Sequence, residues 1–246
     1  MKCLFLFFLI TFNICNAQAY EKTLVSIYAY HLKPPFIVSE ENHQGLYYDF
    51  SEYLNEKSQQ YTFKTVFVPR KRVELMVDNG QLDGMLLGVN PIWFRDKQEK
   101  RFLWSANIYH DQDEMVSLSK TPTEYTGPAS LKGKVLGGVR GFSYFGVDDL
   151  VKSGEVERHD TIGEREILMM LLAGRVDVGI VSRSTYQYLL RKENWQNIFH
   201  LSKQPHDNYQ RRLMAPLQLK SIFEHIAPMI ENLPDDPKWQ AILDKY

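Results

Sequence analysis

Several arginines stand where a positive charge suggests a role in binding. Arg70 and Arg72, in the run VPRKR, begin a predicted helix. A cation at a helix N-terminus is electrostatically unfavourable, so Arg70 is a candidate ligand contact, although a solvated basic surface explains it equally well. Together with Arg140 and Arg183, these side chains predict a net positive cleft that suits an acidic or otherwise anionic small molecule.

The sequence carries no motif that is typical of an enzyme or a metal site. It lacks G-x-S-x-G, H-E-x-x-H and a phosphate-binding loop. The run His110-Asp111-x-Asp113 lacks helical ligand spacing and is interpreted as a polar loop. Asp113 and Glu114 are interpreted as surface charges, which leaves no acid or base for a cleft. We therefore predict no catalytic residue, no metal and no cofactor.

The first residues, MKCLFLFFLITFNICNAQAY, have the pattern of a secretory signal peptide. Lys2 precedes an apolar run that is too short to span a membrane, and Ala17-Gln18-Ala19 is a small-x-small cleavage site. The alternative is a short N-terminal anchor. We predict a signal peptide over residues 1–19, cleavage near Ala19 and a periplasmic location.

Cysteine and charge usage narrow the classes of site and partner. Cys3 and Cys15 both fall within the predicted signal peptide, so the exported part has no disulfide, thiolate metal site or cysteine nucleophile. The whole chain has 29 Lys and Arg against 30 Asp and Glu, with no charge run. Nucleic acid is therefore not predicted as a partner.

One phrase occurs twice, as NGQLDGMLLGV at residues 79–89 and AGRVDVGIVSR at residues 173–183. In each copy a predicted helix ends at a glycine, and an apolar run follows an aspartate. Alternating strand and helix periodicities surround both copies, which predicts mostly parallel sheets covered by helices. The repeat therefore predicts two α/β lobes, with Asp83 and Asp177 in structural roles at the turns.

The order of these features resembles the family 3 periplasmic solute-binding proteins, the polar-amino-acid-binding type. The resemblance rests on the signal peptide, PPF after the first strand, the two G-x-[LV]-D junctions and LKGKVLGGVRGFSY. It implies the type II periplasmic-binding-protein fold, an α/β fold whose two lobes each hold a mostly parallel sheet flanked by helices. The implied lobes are residues 20–116 with 214–246, and residues 117–213, joined by a hinge of two crossovers around a ligand-binding cleft.

The resemblance also implies ligand contacts in the first lobe. Arg95, twelve residues after Asp83, matches an arginine that binds the ligand carboxylate through its planar fork. Arg101 is a rival, and a solvated surface run is the alternative for Arg95. Gly88 and Asn90 match a loop that offers backbone and polar groups to the ligand.

In the second lobe, Gly141-Phe142-Ser143 matches an anion-binding turn at a helix N-terminus, where Ser143 also suits an N-cap. Ser182 stands where the family typically has an aspartate that pairs with the ligand ammonium, and a serine cannot neutralise that charge. Aromatic rings that are expected on loops at the cleft mouth are Tyr30, Phe36, Trp93 and Phe142. Packing in the core or hinge is the alternative, and it applies more to Phe36 than to Trp93.

These observations predict a monomeric solute-binding protein that is not an enzyme. Its ligand is a small polar or anionic, amino-acid-like solute, and its partner is an ABC permease or a membrane sensor. The alternative is a periplasmic enzyme on the same fold, of the cyclohexadienyl-dehydratase type.

Overall fold

A computed structural model describes residues 21–246, so the predicted signal peptide lies outside the described residues.

Strands and helices alternate along the chain in two groups, and the chain ends in two helices. The first group is β1 Thr23–Ala29, α1 Leu46–Lys57, β2 Tyr61–Phe67, α2 Arg70–Asp78, β3 Met85–Val89 and β4 Phe102–Trp104. The second group is β5 Tyr109–Leu118, β6 Val135–Val139, α3 Val147–Lys152, β7 Glu157–Thr161, α4 Glu164–Leu172, β8 Val178–Ser182, α5 Arg183–Glu193, β9 Phe199–Leu201 and β10 Asp207–Pro216. The final helices are α6 Lys220–Glu231 and α7 Pro237–Leu243.

The first lobe forms around three parallel strands. β1 pairs in parallel with β2 and β3, and its residues alternate between buried positions that face α1 and half-buried positions such as Tyr28 that face α2. α1 buries the face that its periodicity predicts, which includes Phe50 and Tyr53. Trp239 of α7 packs edge-on against both rings, with centroid separations of 5.7 Å. The C-terminal helices therefore belong to the core of the first lobe.

The second lobe repeats this arrangement with closer packing of helix on sheet. β6 pairs in parallel with β7 and β8, and Gly137 faces Gly179 across the β6–β8 pairing. A Cβ atom at Gly179 would collide with the side chain of Ile167 on α4. The two glycines therefore let α4 lie directly on the sheet.

The aspartates of the repeated phrase make local structural bonds. Asp177 accepts the backbone N–H of Val135 at 2.8 Å, which joins the start of β8 to the start of β6. Asp83 accepts the hydroxyl of Tyr28 at 2.6 Å. Both carboxylates hold neighbouring strands together at the ends remote from the cleft.

Two antiparallel strands connect the lobes. β5 pairs with β8 of the second lobe through residues 113–116 and with β10 through residues 109–113. β10 then leaves β5 and, after a register shift at Arg212, pairs with β3 and β4 of the first lobe. The lobe boundaries at 116/117 and 213/214 stay a prediction. Residues 113–116 fall within the predicted first lobe, but they pair with β8 of the second lobe. Within residues 21–246 no helix is long and apolar enough to cross a bilayer.

Candidate functional site

A cavity of about 1020 Å³ lies between the two lobes. Loops of both lobes line it, and the crossover strands form its base. The first lobe contributes Tyr30, His31, Lys33, Arg70, Trp93 and Arg95 to the lining. The second lobe contributes Phe142, Ser143, Glu164, His206 and Asp207, and the crossover strands contribute Asp113, Tyr209 and Arg211. The volume suits a small organic solute.

The base of the cavity is a buried ion pair between the crossover strands. Arg211 is 1% exposed, and its Nε and Nη2 donate to one carboxylate oxygen of Asp111 at 3.0 and 2.9 Å. Asp111 also accepts the backbone N–H and hydroxyl of Ser184 in the first turn of α5. This carboxylate therefore caps a helix N-terminus from outside the helix.

His31 packs beside this pair as a neutral imidazole. Burial, together with the charges of Arg211 and Lys33, holds the pKa of His31 well below its usual value. Nη1 of Arg211 lies 3.1 Å from Nε2 of His31, and a guanidinium can only donate, so Nε2 accepts and Nδ1 carries the proton. The Nδ1–H has no hydrogen-bond partner within the described residues, which leaves it able to donate.

Asp113 adds a protonatable carboxyl group to the cavity wall. Its Oδ1 accepts the hydroxyl of Tyr209 at 2.8 Å. Burial and the neighbouring carboxylate of Glu164 raise the pKa of Asp113 to about 7. This group can therefore hold or release a proton near neutral pH.

A second buried ion pair crosses the cleft. Lys33 of the first lobe pairs with Glu164 at the start of α4 and donates to the hydroxyl of Ser182 at 2.7 Å. The carbonyl of Pro34 accepts the hydroxyl of Thr185 in α5 at 2.6 Å. The loop after β1 therefore ties the two lobes together on one side of the cavity.

Six residues that the sequence singles out line this one cavity, namely Tyr30, Arg70, Trp93, Arg95, Phe142 and Ser143. The guanidinium of Arg70 lies 5.6 Å from the ring centroid of Tyr30 and 5.4 Å from that of Phe142. Arg70 thus spans the cleft between an aromatic ring of each lobe while it pairs with Glu74 at 2.9 Å. Trp93 packs edge-on against Tyr209 at 5.1 Å. Phe36 is fully buried in the core.

Arg95 and Arg101, the two candidates for the carboxylate-binding arginine, lie in different surroundings. Arg95 is exposed, lines the large cavity and has a left-handed backbone, with φ of 54°. Both arginines line a smaller neighbouring pocket, where Arg101 donates to the carbonyl of Phe94 at 3.1 Å, but Arg101 does not line the large cavity. The geometry therefore favours Arg95.

The structure places three other singled-out residues just behind the cavity wall. A Cβ atom at Gly88, where φ is 78°, would collide with the hydroxyl of Tyr47, so this glycine accommodates a core tyrosine. Asn90 accepts the N–H of Ile92 at 2.9 Å and donates to the carbonyl of Gln210. Ser182 is fully buried beneath Lys33.

Of the four arginines from which the sequence predicts a net positive cleft, only Arg70 lines the cavity. Arg140 and Arg183 do not line the cavity, and Arg183 pairs with Glu114, which is fully buried rather than on the surface. Asp113 is likewise a cavity residue. Seven Lys and Arg side chains line the cavity against six Asp and Glu, an excess of one. The charges are instead separated, because most cations lie on the first lobe and most carboxylates on the second.

Sequence reasoning missed Lys33, Asp111, Glu164, Tyr209 and Arg211. A signal for some of them exists in the crossover strands. Asp111 and Asp113 are two residues apart in β5, as are Tyr209 and Arg211 in β10, so each pair lies on one face of its strand. Within residues 21–246 no group of His, Cys, Asp and Glu side chains has the arrangement of a metal site.

Comparison with known proteins shows the fold. No family model and no curated protein matches the sequence. Among solved structures, a P235GK mutant of ArgBP from T. maritima is similar at 14% identity and a TM-score of 0.69, over 91% of this chain and 94% of that one. The GluR0 ligand-binding core from Nostoc punctiforme, solved with L-glutamate, is similar at 14% identity and a TM-score of 0.68, over 91% and 98%. The ancestral amino acid-binding protein AncCDT-1, described as a precursor of cyclohexadienyl dehydratase, is similar at 9% identity and a TM-score of 0.68, over 91% and 95%. The chain therefore has the two-lobed α/β fold of the type II periplasmic binding proteins, as its sequence predicts.

Proposed function

We propose that this chain is a periplasmic solute-binding protein that captures a small polar or anionic, amino-acid-like solute between its lobes. The observation that supports this most is the cavity itself, whose walls belong to different lobes and carry different charges. A solute that contacts both walls stabilises the closed arrangement over an open one by its differential affinity. The neighbours ArgBP and GluR0, one named for arginine and one solved with L-glutamate, support an amino-acid-like ligand.

The proposed ligand contacts lie mainly on the first lobe. Arg95 offers a planar, bidentate donor to a carboxylate, and Lys97 adds an exposed cation beside it in the cavity lining. Tyr30, Trp93 and Phe142 supply flat apolar faces. Arg70 and Ser143 complete the polar wall, while Gly88, Asn90 and Ser182 support it from behind.

The proposed role is delivery to an ABC permease or signalling through a membrane sensor, by a monomer that is exported through its signal peptide. A closed cleft serves as the signal in either case. The two alternatives differ in the membrane partner that binds the closed form.

A thermal-shift screen of residues 20–246 tests the proposal. The panel holds amino acids, dicarboxylates, keto acids, amines and small peptides. A ligand at about a hundred times its Kd adds roughly 2.7 kcal/mol to the free energy of unfolding and raises Tm visibly. If every compound on the panel leaves Tm unchanged, the proposed solute class is wrong.

Arg95→Ala is expected to weaken binding of an acidic hit by well over tenfold, because a carboxylate loses its bidentate partner inside the cleft. Arg101→Ala is the matched control and should change Kd by less than about twofold, because Arg101 does not line the large cavity. Isothermal titration calorimetry measures both. A large loss in Arg101→Ala alone would move the carboxylate site to Arg101.

The protonatable carboxyl group of Asp113 in the cavity supports a second candidate function, which is an enzyme on the same fold. A carboxyl group in the cavity with a pKa of about 7 could donate a proton to a leaving hydroxyl, which is the role of an acid in a dehydratase. NMR of each hit incubated with the protein tests this reading. Turnover that Asp113→Asn abolishes would establish the enzyme, whereas full recovery of every hit supports the binding protein.

A further inference from the structure

The ammonium of Lys33 occupies a carboxylate site that belongs to the opposite lobe. The side chain leaves the first lobe in the loop after β1 and is buried, with 8% of the residue exposed. Its Nζ pairs with Oε1 of Glu164 and donates to Oγ of Ser182 at 2.7 Å. Both partners are second-lobe residues, at the start of α4 and at the end of β8.

The site that receives this ammonium is built from buried polar groups. Glu164 is 4% exposed and Ser182 is fully buried. Oε2 of Glu164 accepts the backbone N–H of Ser182 at 3.1 Å and its hydroxyl at 2.6 Å. Glu164 is also the first residue of α4, where the free N–H groups of the helix favour a carboxylate. The carboxylate is therefore held in one orientation by the second lobe and needs a cation to balance its buried charge.

The loop that carries Lys33 is fixed next to the same site. The carbonyl of Pro34 accepts the hydroxyl of Thr185, a fully buried residue, at 2.6 Å. The lysine is thus presented to Glu164 by its own chain whenever the lobes are closed. An intramolecular partner of this kind acts at an effective concentration of millimolar or more, so a free amine competes poorly with it.

We propose that Lys33 is a specificity-determining residue that fills the buried carboxylate site of Glu164 and Ser182, so that the solute is a carboxylic acid without an ammonium group. At this site a solute ammonium would have to displace Lys33 from Glu164, which would leave a second buried cation without a partner. The cations that remain available to a solute in the lining, Arg95 among them, favour its carboxylate. The statement about the solute rests on the proposed function, whereas the occupation of the site by Lys33 does not.

Chemical rescue of Lys33→Ala tests the occupied site without any knowledge of the ligand. The substitution removes the three terminal methylene groups and the ammonium, which together have the shape of n-propylammonium. We expect Lys33→Ala to lower Tm by several degrees, because Glu164 loses its buried partner. Propylammonium chloride should then raise the Tm of Lys33→Ala in a concentration-dependent way, beyond its effect on wild type.

Three controls isolate the charge at this site. Lys152→Ala removes an exposed cavity lysine that pairs with Asp149 on the surface, and propylammonium should not rescue it. 1-Propanol has the same carbon skeleton without the charge, and potassium chloride matches the ionic strength. Equal effects of propylammonium on wild type, Lys33→Ala and Lys152→Ala, or equal rescue by propanol, would overturn the proposal.

A second pair of variants covers the case in which Lys33→Ala does not fold. Lys33→Met keeps the aliphatic length, and Lys33→Met with Glu164→Gln also removes the carboxylate charge. The double variant should recover most of the Tm that Lys33→Met loses, because no buried charge remains. A double variant that is less stable than Lys33→Met contradicts the proposed pairing.

Matched solutes test the specificity. Succinate and aspartate, or glutarate and glutamate, differ only by the ammonium. Wild type should bind the acid without the ammonium at least tenfold more tightly, and Lys33→Ala should reverse the preference. Tighter binding of the amino acid to wild type would overturn the specificity. A third outcome is that propylammonium rescues Lys33→Ala but neither the amino acids nor the acids without an ammonium bind. That outcome would confirm that the ammonium of Lys33 fills the site, and it would contradict the proposed function.

Discussion

Arg211→Met is expected to lower the free energy of unfolding by about 3–5 kcal/mol, because it leaves the carboxylate of Asp111 buried without its cation. Asp111 would keep only three donors, which are the backbone N–H groups of Gln112 and Ser184 and the hydroxyl of Ser184. The guanidinium also donates to the carbonyl of Gly88 and to the hydroxyl of Tyr209, so methionine leaves further polar groups unsatisfied. Urea unfolding with analysis of the midpoint and slope measures the loss.

Arg212→Met is the matched control on the next residue of β10. Arg212 pairs with Glu99, whose side chain is 43% exposed, so water replaces the cation at this carboxylate, although the carbonyl of Ser105 also loses a donor. We expect a smaller loss of about 1–2 kcal/mol for Arg212→Met. Arg211→Met combined with Asp111→Leu should be more stable than Arg211→Met alone. Equal losses for the two single variants would show that burial of the Arg211–Asp111 pair has no special cost.

Asp113→Asn is expected to become increasingly more stable than wild type as pH rises from about 4 to 7. The pKa of Asp113 is about 7 in the folded protein and lies near its ordinary value of 3.8 in the unfolded chain. Between these values the unfolded chain releases a proton that the folded protein keeps, so wild type loses stability with rising pH. At pH 8 the variant should be more stable than wild type by about 2–4 kcal/mol, and at pH 4 the two should be nearly equal.

Asp111→Asn is the control for this experiment, since it lies two residues away on the same strand. Although burial opposes ionisation, the charges of Arg211 and Lys33 hold the pKa of Asp111 below its usual value. Its stabilising contribution is therefore complete above the unfolded pKa and disappears only as pH falls through the folded pKa. Asp111→Asn should thus be less stable than wild type by a constant amount between pH 5 and 8. A similarly constant difference for Asp113→Asn would refute the raised pKa.

Much of the fold could be predicted because its signals are local. The periodicity of residues 45–57 and 164–173 marks helices within one or two residues of α1 and α4, and the repeated phrase marks the turns into β3 and β8. β7 escaped prediction because its sequence ERHDT is charged and mostly exposed at the edge of the sheet. β4 and β9, at three residues each, are too short to show a period.

The candidate site was only partly predictable, because its central groups meet through tertiary structure. Lys33, Glu164 and Ser182 come from three separate segments, and nothing near Lys33 in the sequence indicates a buried lysine. The serine at position 182 is visible in the sequence, whereas its contacts with Lys33 and Glu164 are visible only in the structure. Arg95, Trp93 and Phe142 could be assigned to the cavity lining because each lies on a loop whose place in the fold the sequence does indicate.

The pairing of β3 with β10 also governs the order in which the chain can fold. Leu87 pairs with Leu213, and the whole second lobe lies between them in the chain. Closing so long a loop costs conformational entropy that grows with the logarithm of its length, whereas the second lobe forms from one continuous segment. We expect the second lobe to form first and to bring β10 alongside β3, which pulsed hydrogen exchange during refolding would detect as earlier protection of β6 and β8 than of β3. Simultaneous protection of all three strands would show that the two lobes fold as a single unit.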